Sequence, residues 1–402
     1  MKTVALRRLA EVNPPSPEFD RLSDEDDVLF LPLETVWSDS KGDQTRLLPK
    51  AAVASGYTRF HAGDVVTPKV TPTFQAGRSM LTVRTGAGTT ELHVLRARPG
   101  IDARWISYAV RSKHFLEEGV TAFQGVAGLQ RVPAEFVADF RIADVDAGEQ
   151  RRIADFLDDR VARIDQIITA RGIQLDLINE VAVSGTSDLL GAVGPEGPPL
   201  SAVCRIVDTE HKTAPTVAGG GYWIAGTGAI RDGRLVHDRL RETDSDSFTE
   251  WTSRGVPEHG DVLLTREAPV GEVALVSVGD PPVAIGQRVV LLKPNAKALD
   301  SGFLRLVLMA GEIRRIIAMA SAGSLHPHLN MADIARLRIP NSALEDQRSL
   351  GREHQRILMQ AQSRRSTLGG SLDRLIEYKQ SLITAAVTGE LDVTTAGSGI
   401  PG

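Results

Sequence analysis

The run Gly63-Asp64-Val65-Val66 returns as Gly260-Asp261-Val262-Leu263, an offset of 197 residues. At that offset Lys69 falls on Arg266 and Pro72 on Pro269. Phe140-Arg141-Ile142-Ala143 falls on Leu337-Arg338-Ile339-Pro340, and Glu149-Gln150-Arg151 on Asp346-Gln347-Arg348. Such matches, in one order on one diagonal, constrain the fold strongly. The period is too long for a solenoid repeat or propeller blade. The 402-residue chain therefore reads as two copies of one unit, each large enough to bury its own core. Two related units in one chain can mimic a symmetric dimer and offer two similar surfaces to one ligand.

Each copy repeats the same order of elements. A strand-rich region comes first, marked by β-branched runs between Gly, Pro and Asp. It holds Asp27 to Leu33 and Gly63 to Thr67 in the first copy, and Gly221 to Ile224, Gly260 to Leu264, Val283 to Ile285 and Val289 to Leu292 in the second. One helical stretch follows, Ala103 to Glu118 or Ser301 to Ala320. The fold class is mixed α and β.

A long helix closes each copy. The first begins near Glu149 behind Asp146, and the second near Glu345 behind Ser342, both in capping-box spacing. Residues then recur at alternating steps of four and three, the spacing of helix against helix in a coiled coil. The seam comprises Leu157, Val161, Ile164, Ile168, Leu175 and Ile178 in the first helix, and Ile357, Leu368, Leu375, Tyr378 and Leu382 in the second. Arg171, His354 and Arg364 are polar occupants of seam positions. Gly369-Gly370 predicts a kink or frayed turn, because each Gly costs about 1 kcal/mol relative to Ala. A helix of about 34 residues spans roughly 50 Å, so two packed antiparallel would form a rod. The domain plan is 1–148, a helical repeat over 149–183, a Gly- and Pro-rich linker over 184–200, a second domain over 201–341, a second helical repeat over 342–392, and a disordered tail over 393–402.

Composition limits the function. The net charge of −5 argues against a protein that simply coats DNA, which would be basic; local basic patches remain compatible with sequence-specific binding. The single cysteine, Cys204, excludes a disulfide framework within the chain. Arg7, Arg8 and Glu11 interrupt any apolar run near Met1, so the expectations are no signal peptide, no membrane span and a cytoplasmic location.

The layout resembles the DNA-specificity subunit of type I restriction-modification enzymes. The Glu149-Gln150-Arg151-Arg152-Ile153 run is similar to the opening of that family's first helical repeat. Asp373-Arg374-Leu375-Ile376-Glu377-Tyr378-Lys379-Gln380-Ser381-Leu382-Ile383, followed by Ala385-Ala386-Val387-Thr388-Gly389, is similar to the end of its second. The two Gly-Asp runs, and Ile206 to Thr209 with His211-Lys212-Thr213, match the openings of its recognition domains. The resemblance implies two target-recognition domains joined and separated by two long antiparallel coiled-coil helices in a pseudo-two-fold arrangement. It implies that each domain reads half of a split site on double-stranded DNA and that the helices set the gap. It further implies two methyltransferase subunits docked on the helices, with restriction and motor subunits joining them. S-adenosylmethionine, ATP and Mg would then sit on those partners, and no cofactor or metal on this chain. The competing readings are a separated recognition module of a single-chain restriction-methylation enzyme, and a coiled-coil scaffold with no DNA role.

Base reading needs Arg, Lys, Asn, Gln or hydroxyl groups at base edges. The candidates are Lys69, Thr71, Gln75, Arg78, Gln124, Gln130 and Arg131 in the first copy. In the second they are Lys212, Arg266, Gln287, Arg288, Ser324, His326 and Asn330, with His328 beside them. No catalytic constellation emerges. Asn13-Pro14-Pro15-Ser16 resembles an adenine-methyltransferase motif but lacks the aromatic that would stack on a flipped base, and reads as a loop. Glu377-Tyr378-Lys379 has a nuclease-like spacing but falls on the helix. His326-Pro327-His328 lacks further metal ligands at motif spacing. Gly86-Ala87-Gly88 and Gly226-Thr227-Gly228 read as turns, and Cys204 as a small buried residue.

Overall fold

A computed structural model describes residues 2–39, 41–125, 130–191, 197–209, 212–321 and 328–394. The chain divides into two compact units, residues 1–172 with 369–402, and residues 173–368.

In the first unit the strands are β1 (Thr3–Ala5), β2 (Ala10–Val12), β3 (Asp27–Leu31), β4 (Leu47–Pro49), β5 (Thr58–Phe60), β6 (Val65–Pro68), β7 (Met80–Leu81), β8 (Gly86–Gly88), β9 (Leu92–Ala97) and β10 (Arg141–Ala143). The helices are α1 (Pro17–Arg21), α2 (Ala103–Ala109), α3 (Lys113–Thr121), α4 (Ala134–Asp139) and the long α5 (Ala147–Gly191), which enters the second unit at Ile173. Two four-stranded sheets form, ordered β2-β9-β6-β7 and β4-β3-β8-β5, and β1 pairs antiparallel with β10. The first is antiparallel, and β3 pairs parallel to β8 in the second.

The second unit contains α6 (Leu200–Val203), β11 (Cys204–Val207), β12 (Tyr222–Ala225), β13 (Ile230–Arg231), β14 (Arg234–Leu235), β15 (Arg241–Thr243), α7 (Ser245–Trp251), β16 (Val262–Thr265), β17 (Val273–Leu275), β18 (Val283–Ile285) and β19 (Val289–Pro294). Then come α8 (Ser301–Met309), α9 (Gly311–Ser321), α10 (Met331–Arg336) and the long α11 (Leu344–Thr388), which passes into the first unit at Gly369. The sheets are ordered β11-β19-β16-β17 and β15-β12-β18. The first matches its four-stranded counterpart, and the second matches β4-β3-β8, including the parallel pair, here β12 with β18; β13 pairs with β14 separately. β5 has no counterpart among the described strands of the second unit.

The repeated Gly-Asp run does the same work twice. Gly63 and Gly260 take φ of +85° and +92°, a region that favours glycine. The buried carboxylates that follow close the turn. Asp64 accepts the His61 N–H at 2.7 Å and pairs with Arg96 on β9, while Asp261 accepts the Glu258 N–H at 2.8 Å and pairs with Lys293 on β19. The peptide bonds before Pro72 and Pro269 are both cis.

The Glu-Gln-Arg repeat is also explained. Gln150, buried, donates to the Val145 carbonyl and accepts the N–H of Asp102, the residue that caps α2. Gln347, buried in the second unit, donates to the Ser342 carbonyl and accepts the N–H of Asp300, which caps α8. Each glutamine thus ties the start of a long helix to the start of a shorter one.

Within the first unit, Ile153, Leu157, Val161 and Ile164 of α5 share a core with Leu375, Leu382, Ile383 and Val387 of α11 and with Trp105 and Phe115. Ile168 and Tyr378 pack on it, half-buried. In the second unit Ile178, Gly185, Ile357 and Ala361 line one groove between the same two helices, and Arg365 donates to Asn179 at 2.9 Å. Asn179 meets Arg365 and Gly185 meets Ile357, so within the second unit the two helices run antiparallel. Leu175 and Leu368 are half-buried.

Some expectations need correction. The helical stretch of each copy is two helices. Ser112 breaks the first by capping α3 through the Phe115 N–H, and Ala310 breaks the second by turning extended before α9. Helix α5 continues to Gly191 rather than ending near Val183; the Thr186 and Ser187 hydroxyls bond back to carbonyls four residues earlier, a contact helices accommodate. Helix α11 runs without interruption through Gly369-Gly370, where a kink or frayed turn was expected. Ser342 does not cap α11, because its hydroxyl faces the Ala343 carbonyl; Asp146 does serve α5, accepting the Glu149 N–H at 2.9 Å. Gly86-Ala87-Gly88 is strand β8 and not a turn. A Cβ on Gly86 would lie 2.1 Å from the Leu29 carbonyl oxygen, so the close pairing with β3 requires glycine.

Candidate nucleic-acid interface

The candidates of the first copy, scattered over more than sixty positions of sequence, largely converge on one patch. Three segments meet there: the chain leaving β6, the residue before β9, and the chain entering α4. Val70 and Gln124 each form a β-bridge with Arg131. The Thr71 N–H donates to the Gln130 carbonyl at 3.2 Å, and the Val132 N–H to the Lys69 carbonyl at 2.8 Å. Lys69 and Thr71 are half-buried; Gln124, Gln130 and Arg131 are exposed. Arg131 is gripped by Glu91 through two bonds of 2.8 and 2.7 Å. That fork holds the Glu91 carboxyl below its usual range. Burial lowers the Lys69 ammonium, opposed by the nearby Glu91 charge. Burial likewise pushes down His93, whose ring contacts the Val132 carbonyl at 2.9 Å. Gln75 is exposed on the turn after Pro72, while Arg78 lies 3.5 Å over the Trp37 ring.

The second unit assembles the corresponding patch. Glu267 bridges to His328, as Val70 does to Arg131, and the Leu329 N–H donates to the Arg266 carbonyl as the Val132 N–H does to Lys69. The side chains differ. Arg266 is buried, pairs with Asp208 at 2.8 Å, donates to the Leu329 carbonyl at 3.1 Å and meets His328 at 3.0 Å. Arg266 therefore braces the patch and is not a side chain held out toward a ligand. Glu267 takes Arg288 at 2.9 Å and His328 at 3.1 Å. Gln287 lies 3.5 Å from the Thr213 hydroxyl, and Lys212 and Asn330 are exposed. Ser324, His326 and His211 lie outside the described residues.

Glu91, Asp208 and Glu267 were not anticipated, since acidic residues do not read as DNA contacts. The repeat offers a signal: at the same offset Glu91 falls on Arg288 and Arg131 on His328, so both positions hold hydrogen-bonding polar side chains in each copy. Asn13 braces Val94 and His93. Lys379 pairs with Asp165 at 2.7 Å within the first unit. Cys204 is buried, and burial pushes its thiol up to about 12. Among the described residues no group of three metal-ligating side chains occurs, and no helix is long and apolar enough to cross a membrane.

No family model matches the chain. Over 156 residues it is 31% identical to the EcoEI type I restriction enzyme specificity subunit of Escherichia coli, and over 154 residues 34% identical to the EcoAI counterpart. Each match covers 37% of this chain and 26% of the relative, so only about a quarter of those proteins is spanned. Along 97% of its length the chain superposes with a TM-score of 0.71 on 98% of a chain from a type I R-M system solved for its assembly and conformational transition, at 16% identity. The HsdS subunit from Thermoanaerobacter tengcongensis gives a TM-score of 0.50 at 18% identity, covering 97% of both chains. The strand order shared by the two units, their long antiparallel helices and these matches agree: in sequence and in fold the chain is similar to the specificity subunits of type I restriction enzymes.

Proposed function

We propose that this chain is the non-catalytic DNA-reading subunit of a type I restriction-modification complex, each unit reading one half of a split site. One observation carries the reading. The same three segments build a polar patch at the same place on the same topology in both units, with different side chains in each. A duplicated frame with divergent polar tips suits two readers of unlike half-sites, because base identity is read by the type and position of donors and acceptors.

Methyltransferase subunits dock on the long helices in this reading. On the second-unit part of α5, Ile173, Leu177 and Val181 are each more than half exposed at steps of four, an apolar stripe of the kind that packs against a partner helix. Restriction and motor subunits join that core. S-adenosylmethionine, ATP and Mg belong to the partners, which perform the chemistry.

Co-expression with the cognate methyltransferase subunit, followed by genome-wide mapping of methylated adenines, tests the proposal. The expected motif has two specified parts and a constant unspecified gap. A continuous motif would contradict two readers.

A further inference from the structure

Both patches carry a carboxylate where a DNA-reading surface would be thought to exclude one. In the first unit Glu91 holds Arg131 through two parallel bonds. In the second Glu267 holds Arg288 at 2.9 Å and His328 at 3.1 Å. The acid has changed segment between the copies: it stands before β9 in the first unit and after β16 in the second. The pairing has persisted while its residues moved, which a chance surface contact does not require. These pairs are open to solvent, with side chains 44% and 23% exposed for Arg131 and Glu91 and 49% and 36% for Arg288 and Glu267. Exposed ion pairs contribute little to stability, so bracing the fold is a weak reason for them.

We propose that Glu91 and Glu267 are specificity-setting residues that occupy Arg131 and Arg288, respectively, until a matching base edge replaces the carboxylate. The inference rests on the DNA-reading function proposed above. The guanidinium fork meets two carboxylate oxygens much as it meets the paired acceptors O6 and N7 of guanine. A cognate edge returns both bonds to the arginine. On other sequences the arginine keeps its acid, and the carboxylate also repels the phosphate backbone. Discrimination then comes from a repulsive element as well as an attractive one.

The test uses the complex assembled with its methyltransferase subunits. Affinities for a random-sequence duplex and for a duplex carrying the mapped motif are measured over a salt series, for wild type, Glu91→Gln, Glu267→Gln and the double variant Glu91→Gln with Arg131→Gln. Each single variant should bind random DNA about two- to fivefold more tightly, the range expected for freeing one exposed ion pair. The slope of log affinity against log salt should steepen by about 0.9, the value for one added phosphate contact. The ratio of motif to random binding should fall, and adding Arg131→Gln should abolish the gain. Unchanged or weaker random binding in both single variants overturns the proposal while leaving DNA reading intact. A gain that survives Arg131→Gln also overturns it, because simple removal of negative charge then suffices. A wild-type complex with no salt-dependent DNA binding would remove both this proposal and the reading beneath it.

Discussion

The two units share sheet order, duplicated Gly-Asp turns and a glutamine clamp, yet at two equivalent positions they differ in chemistry. Leu157 of the first unit falls on His354 of the second, and Lys69 on Arg266. Leu157 lies in an apolar cluster. His354 is equally buried, and neither ring nitrogen has a hydrogen-bond partner. Lys69 is half-buried at the patch, whereas Arg266 is buried and bound to three partners. The frame tolerates exchange of an apolar group for a polar one in the core, and of a tethered cation for a looser one at the surface. The elements that persist are those fixing backbone geometry.

The largest effect should come from Arg266→Ala. It removes the ion pair with Asp208, whose side chain is 26% exposed and still accepts the Thr209 N–H, and it removes a donor from the Leu329 carbonyl. Loss of one partner of a buried pair costs about 3–5 kcal/mol, and the partial exposure of Asp208 places the expectation near the lower figure. Lys69→Ala should cost less than about 1 kcal/mol, as for other partly exposed positions. Urea titration of the two variants measures the contrast, and equal losses would break it.

A pH-dependent effect belongs to His354. Burial, with the Arg305 charge adding to it, pushes its imidazole down to about 3, against about 6.5 in an unfolded chain. Between those values the unfolded state binds a proton that the native state refuses, so stability rises with pH through this window. The contribution is present above about 6.5 and is lost as pH falls toward 3. His354→Leu, which copies the first unit, should lose less stability than wild type between pH 7 and pH 4 in denaturant titrations. Identical pH profiles would contradict the burial of a neutral imidazole.

Much of this frame was legible in the amino-acid sequence because it rests on local rules. Gly63-Asp64 and Gly260-Asp261 open runs that read as strands, and the structure adds the positive-φ turn and the acid that closes it. The seam from Leu157 to Ile164 obeys helical spacing. Breaks at Ser112 and Ala310 were hidden because the apolar pattern runs on across them. The patch was legible only in part. Lys69, Gln124 and Arg131 could be nominated by residue type, but the grip of Glu91 on Arg131 joins residues forty positions apart. Arg266 showed the reverse: a residue type suited to DNA, taken into the interior by Asp208, which precedes it by 58 positions.

The central claim is that two equivalent patches read separate halves of one site. Its most direct test is a methylation map of cells expressing Arg131→Ala or Arg288→Ala with the cognate methyltransferase. Loss of one good arginine–base pair relaxes discrimination by about 1–3 kcal/mol at its own position. The account predicts that Arg131→Ala admits extra bases in one half of the motif only, and Arg288→Ala in the other half only. Relaxation of the same half by both variants, or of both halves by either one, would contradict it.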